Sequence, residues 1–115
     1  MEKRTVEMAL LLDFYGELLT EKQRTYMEMY YGEDFSLTEI AQLGNITPQG
    51  VRDVIRRGGE TLLDVEKKTA LIRRFSEVSD IAQRIHFRLK AVEDKRPGLS
   101  GLFQDIYEEL DRLQL

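Results

Sequence analysis

The side chains best placed to do chemistry are Gln49, Arg52, Asp53 and Arg56, with Thr47 just before them and Arg57 just after. Positions 49, 52, 53 and 56 follow the i, i+3, i+4, i+7 rule, so in a helix they share one face. Glutamine and arginine can make paired hydrogen bonds to base edges, and arginine also neutralises phosphate, so this face suits recognition of duplex DNA. In that reading Gln49 and Arg52 are the base readers, and Arg56 and Arg57 touch the backbone. A solvated outer face of a helical bundle has the same composition, and the choice between the two rests on what surrounds it.

The rest of the chain offers no competing chemistry. It has no cysteine, which removes disulfides, thiolate metal sites and cysteine nucleophiles. The single histidine, His86, sits between Arg84 and Arg88 with no second histidine to share a metal, and reads as a partly exposed structural residue. Glu108, Glu109 and Asp111, like Glu33 and Asp34, are carboxylates close in sequence on solvated faces rather than an acid/base pair. Gly58-Gly59 and the glycines at 98 and 101 lack the strand, spacing and lysine of a phosphate-binding loop. No cofactor, metal or catalytic role is expected.

Two short helices must position the polar face. Ser36 can cap the first through its hydroxyl while Glu39 reaches back to the cap's N–H, a capping box. Leu37, Ile40 and Ala41 fall on one side, and Gly44-Asn45 stops the helix with residues that tolerate a left-handed backbone. Thr47 then supplies the next cap and Pro48 the first helical position, where its missing N–H costs nothing. Val51, Val54 and Ile55 form the inward side of the second helix. Cap, apolar step, turn, cap and polar face together predict a helix-turn-helix, whose second helix enters the major groove by its N-terminal part.

Around it, apolar spacing predicts a first helix over residues 3–19, with Val6, Met8, Leu11, Leu12, Tyr15, Leu18 and Leu19 in its stripe. A second capping box, Thr20 with Gln23, opens a helix whose Tyr26, Met27, Tyr30 and Tyr31 have the spacing of a core stripe rather than a base-stacking platform. Gly58-Gly59 suggests a bend or break. Leu71, Phe75, Val78, Ala82, Ile85, Leu89 and Val92 then recur at heptad steps, predicting a long helix over 67–93. Pro97-Gly98 interrupts it, and Leu99, Phe103, Ile106, Leu110 and Leu113 mark a shorter helix that can fold back. The expected fold is all-α: a three-helix-type helix-turn-helix bundle over 1–66, with a long helix and C-terminal helical hairpin extension over 67–115. That extension has more apolar seam than the hairpin can cover, which points to a homodimer or higher homo-oligomer.

At 115 residues with 42% hydrophobic content, the chain can build an ordinary core. Its N-terminus carries charges before and within the apolar run and is too short to span a bilayer, so neither a signal peptide nor membrane insertion is expected. A cytoplasmic setting fits. The net charge of −4 opposes nucleic-acid binding in bulk, but it is unevenly distributed. Residues 1–46 carry −5, residues 47–96 carry +4 and residues 97–115 carry −3, so the basic excess begins at the recognition helix. Such a chain should bind DNA weakly and with strong salt dependence.

The stretches LLDFYGELLTEKQRTYMEMYYGEDFSLTEIA and ITPQGVRDVIRR resemble the YlxM family of small bacterial helix-turn-helix proteins, closely over residues 11–57 and more loosely beyond. That family is similar to the fourth conserved region of primary sigma factors, and the spacing of Ile40, Ala41, Ile46, Val51 and Arg52 matches it. The resemblance implies DNA binding and transcription regulation. It also implies a role in the signal recognition particle pathway, with the particle's GTPase, its RNA or the receptor as partner through Lys67, Lys68, Arg73 and Arg74. The alternative it leaves open is a module that kept the fold but binds such a protein or RNA component instead of DNA.

Overall fold

The computed structural model describes residues 5–114, which contain six α-helices and no strand. They form two compact units, the first ending at Ala70 and the second starting at Leu71.

In the first unit, α1 (Thr5–Tyr15) buries Met8, Leu11 and Tyr15 and then tightens into a 3-10 turn over Gly16–Leu18. Two members of the expected stripe fall outside it. Val6 lies about 200° around the helix from Met8 and is exposed, while the 3-10 turn carries Leu18 out of phase and into solvent. α2 (Glu21–Met27) starts at the anticipated capping box: Gln23 N–H donates to Thr20 Oγ1 and Thr20 N–H donates to Gln23 Oε1, both at 3.1 Å. A π-helical segment, Glu28–Gly32, follows and turns Tyr30 and Tyr31 inward, edge to face with centroids 4.9 Å apart. The tyrosine and methionine stripe is therefore core, with Met27 fully buried.

α3 (Leu37–Gly44) opens on the Ser36–Glu39 box, with both hydrogen bonds at 3.0 Å, and stops at Asn45 in the left-handed conformation (φ 54°). α4 (Pro48–Thr69) begins where Gly50 N–H donates to Thr47 Oγ1 at 3.0 Å and runs unbroken for 22 residues. Gly58 and Gly59 do not bend it. Both are buried, and a Cβ added at Gly58 would fall 2.5 Å from Met27 Sδ, while one at Gly59 would meet Met8 Cε at 3.4 Å. The pair lets α4 pack directly on α2 and α1. Tyr15 fastens the far end of α4, its hydroxyl donating to Glu66 Oε1 at 2.6 Å with Thr69 Oγ1 2.7 Å away.

The long helix expected over 67–93 is in fact two. α4 ends at Thr69, with Ala70 left-handed at φ 53° and its N–H on Glu66 O, and α5 (Leu71–Lys95) starts afresh. Lys67 and Lys68 thus belong to the last turn of α4.

In the second unit α6 (Ser100–Asp111) folds back on α5 after a 3-10 turn at Pro97–Leu99. Ser79 Oγ and Gln83 Nε2 donate to Gln114 Oε1, and the His86 ring lies 4.5 Å from that of Tyr107. Ala82 and Leu110 are the buried apolar residues of this hairpin among the described residues. Tyr107's hydroxyl is shut off from solvent beside Glu93. Burial first, and the Glu93 carboxylate second, push its pKa up to about 12. The Tyr107 hydroxyl, ahead of Lys90 at 3.2 Å, holds Glu93 below the usual carboxylate range against opposing burial. A raised tyrosine pKa stabilises the hairpin fully below the ordinary value of 10 and stops doing so as pH rises through about 12. The lowered Glu93 stabilises it above 4.5 and stops as pH falls through its folded value. Ultraviolet titration should therefore show a late-ionising tyrosine that Tyr107→Phe removes. An unchanged titration curve in that variant would contradict the burial.

Candidate nucleic-acid interface

α3, the Asn45 turn and the start of α4 set the candidate site. Ile40, Ala41, Val51 and Ile55 are buried where α3 packs on α4, so the opposite side of α4 faces outward by helical geometry. Gln49, Arg52, Arg56 and Arg57 are exposed there, whereas Asp53 is half-buried.

These side chains are not equivalent. Thr47 is a capping residue, its Oγ1 occupied by Gly50 N–H. A Cβ at Gly50 would come within 3.3 Å of that oxygen and 3.5 Å of Ile46 Cδ1, so glycine leaves the cap its room. Gln49 Nε2 donates to Asp53 Oδ1 at 3.2 Å, tying this acid of the face to its glutamine. Arg56 pairs with Glu60 at 2.9 Å, both well exposed, an interaction of about 0–1 kcal/mol that a phosphate can displace. Arg52 and Arg57 have no ion-pair partner among the described residues, and they leave this face with free positive charge.

The basic stretch Lys67, Lys68, Arg73 and Arg74 is less coherent. It is divided by the left-handed Ala70, and Lys68 pairs with Asp64 at 2.9 Å and Arg73 with Glu77 at 3.8 Å. A residue absent from the sequence reading is Lys22, on the first turn of α2. It lines a cleft with Arg57, and only the long-range packing of α2 on α4 brings the two to one place.

The model of a family described as "Putative helix-turn-helix protein, YlxM / p13 like" matches residues 1–100. The chain belongs to this family, UPF0122. Among its relatives, a UPF0122 protein of Thermoanaerobacter sp. (strain X514) is 37% identical over 110 residues, 94% of each chain. One of Halalkalibacterium halodurans is 41% identical over 114 residues, 99% of this chain and 100% of the relative. One of Desulforamulus reducens is 50% identical over 70 residues, 61% of this chain and 60% of the relative. UPF0122 membership agrees with the helix-turn-helix architecture. In addition, no helix among the described residues is long and apolar enough to cross a membrane.

Proposed function

We propose that this UPF0122 protein is a DNA-binding regulator of transcription that reads duplex DNA with the outward face of α4. The observation that carries the reading is the pair of unneutralised arginines, Arg52 and Arg57, on a helix whose N-terminus is set by a complete helix-turn-helix turn. Arg52 and Gln49, in the first two turns, are the base readers. Arg57, and Arg56 once released from Glu60, contact the backbone. Thr47 holds the helix start, and Asp53 orients Gln49. Arg52→Ala should weaken binding to a preferred sequence by about 1–3 kcal/mol and relax the choice of base at one position. Equal loss on all sequences would remove Arg52 as a base reader.

The active species in this reading is a homodimer joined through the second unit. Val78, Ile81, Ile85 and Val92 of α5, Leu102 and Ile106 of α6 and Leu113 just beyond it leave apolar surface exposed on a hairpin with little core of its own. Exposed Arg74 and Arg88, seven residues on either side of Ile81, share this stripe of α5, and Glu109 on α6 pairs with Arg112 at 3.3 Å. A second copy turned about a two-fold axis covers the apolar face and closes a four-helix bundle. The second reading, a module of the signal recognition particle pathway that binds one of its proteins or its RNA, is supported by the net charge of −4. It gains ground only if no duplex is bound.

A further inference from the structure

We propose that the cleft between α2 and α4 seats a backbone phosphate of bound DNA, held jointly by Lys22 and Arg57. This rests on the DNA-binding reading and extends its footprint to a helix outside the helix-turn-helix.

The cleft, about 320 Å³, is lined by Thr20, Lys22, Gln23, Asp53, Val54 and Arg57. Its walls are close because Gly58, next to Arg57, has no side chain: a Cβ there would lie 3.5 Å from Gln23 Cβ, so α4 comes down onto α2 beside the arginine. Both cations keep their charge. Arg24 and Arg56, on the same two helices, are neutralised by Glu28 and Glu60, but Lys22 and Arg57 have no carboxylate in ion-pair range among the described residues. Lys22 Nζ instead lies 5.9 Å from the Tyr26 ring centroid, which steadies it without neutralising it. The one acid in the lining, Asp53, already accepts from Gln49. Thr20 Oγ1 is occupied by its capping bond, leaving Gln23 Nε2 as a neutral donor on the rim. Two positive charges against one partly satisfied carboxylate make an anion seat.

Its position suits the strand that flanks the groove. Arg57 is nine residues beyond Pro48, roughly 14 Å along α4 at 1.5 Å per residue, while the major groove is about 12 Å wide. With the N-terminal turns of α4 among the bases, Arg57 reaches the groove's edge, where Lys22 meets the same phosphate from α2.

The test is fluorescence anisotropy of a short labelled duplex of mixed sequence, titrated over a range of salt with wild type, Lys22→Ala, Arg57→Ala and the double variant. Each phosphate contact contributes about 0.9 to the slope of log affinity against log salt. The double variant should lose about 0.9, one phosphate's worth, each single variant less than that, and sequence preference should not change. A wild-type slope in the double variant removes the seat while leaving DNA binding intact, and a loss of about 1.8 means two separate phosphates and overturns the shared site. Wild type that binds no duplex at low salt ends the DNA reading and the seat together. Both side chains are exposed, so unchanged melting curves will show that the variants fold.

Discussion

Gly58→Val is expected to destabilise the first unit by about 3 kcal/mol, the largest loss of stability from any single change considered, and to lower its melting temperature by roughly 10–20 °C. Glycine inside a helix is ordinarily a weakness, costing about 1 kcal/mol relative to alanine, and on propensity alone valine would be a mild improvement. Packing reverses the sign. A Cβ at this position lies 2.5 Å from the sulfur of Met27, a fully buried side chain, and valine adds two further methyl groups. Relief requires Met27 to leave its packed rotamer or α4 to move off α2, which also unseats Gly59 from Met8 and Leu62 from the core. Gly101→Ala is the control: a Cβ there meets nothing within 4 Å, so the same chemistry in α6 should be neutral or stabilising by up to about 1 kcal/mol. If Gly58→Val melts with wild type, the close approach of α4 to α2 is wrong, and with it the cleft that depends on it.

The second large effect is on assembly. Ile85→Asp should convert the proposed dimer into a monomer that keeps its helices. Ile85 is 42% exposed in the middle of α5, and its exposed neighbours Val78, Ile81 and Val92 continue the apolar face along the same side. At roughly 25 cal/mol per Å² of apolar surface, covering such a face supplies several kcal/mol, and a buried unpaired carboxylate at its centre cancels much of that. In the free hairpin Ile85 is not a core residue, so aspartate there should cost little stability beyond the lost interface. Light scattering at high concentration reads the outcome directly. Wild-type protein that runs as a monomer contradicts the assembly before any variant is made.

Local signals were legible in the sequence, and long-range ones were not. Thr20 with Gln23, Ser36 with Glu39, and Thr47 each announce a helix start by hydrogen bonds that span three residues, Asn45 announces an end by its tolerance of a left-handed backbone and Pro48 a start by its missing N–H, and each is found where the spacing puts it. The break at Ala70 carries no such signal, because alanine is the best helix former and adopts a left-handed conformation only when its surroundings impose it. Gly58-Gly59 gave a signal that could be read two ways. A glycine pair means a bend when nothing packs on it and a close approach when something does, and only Met27 and Met8 decide which. The same holds for the site. Arg52 and Arg57 follow from one helix, but Lys22 joins them through packing between α2 and α4, thirty-five residues apart along the chain. Val6 and Leu18 show the reverse error, apolar residues assigned to a stripe that the helix's own geometry turns to solvent.

Whether the outward face of α4 binds duplex DNA is decided by selection from a pool of random duplexes at low salt with wild-type and Arg52→Ala protein in parallel, followed by sequencing. Wild type is expected to enrich a two-fold symmetric site, with half-sites about one helical turn apart or a multiple of it, and Arg52→Ala to lose the preference at one position in each half-site. Enrichment of no sequence by wild type, together with anisotropy no higher than that of the free duplex, would contradict DNA binding by this face.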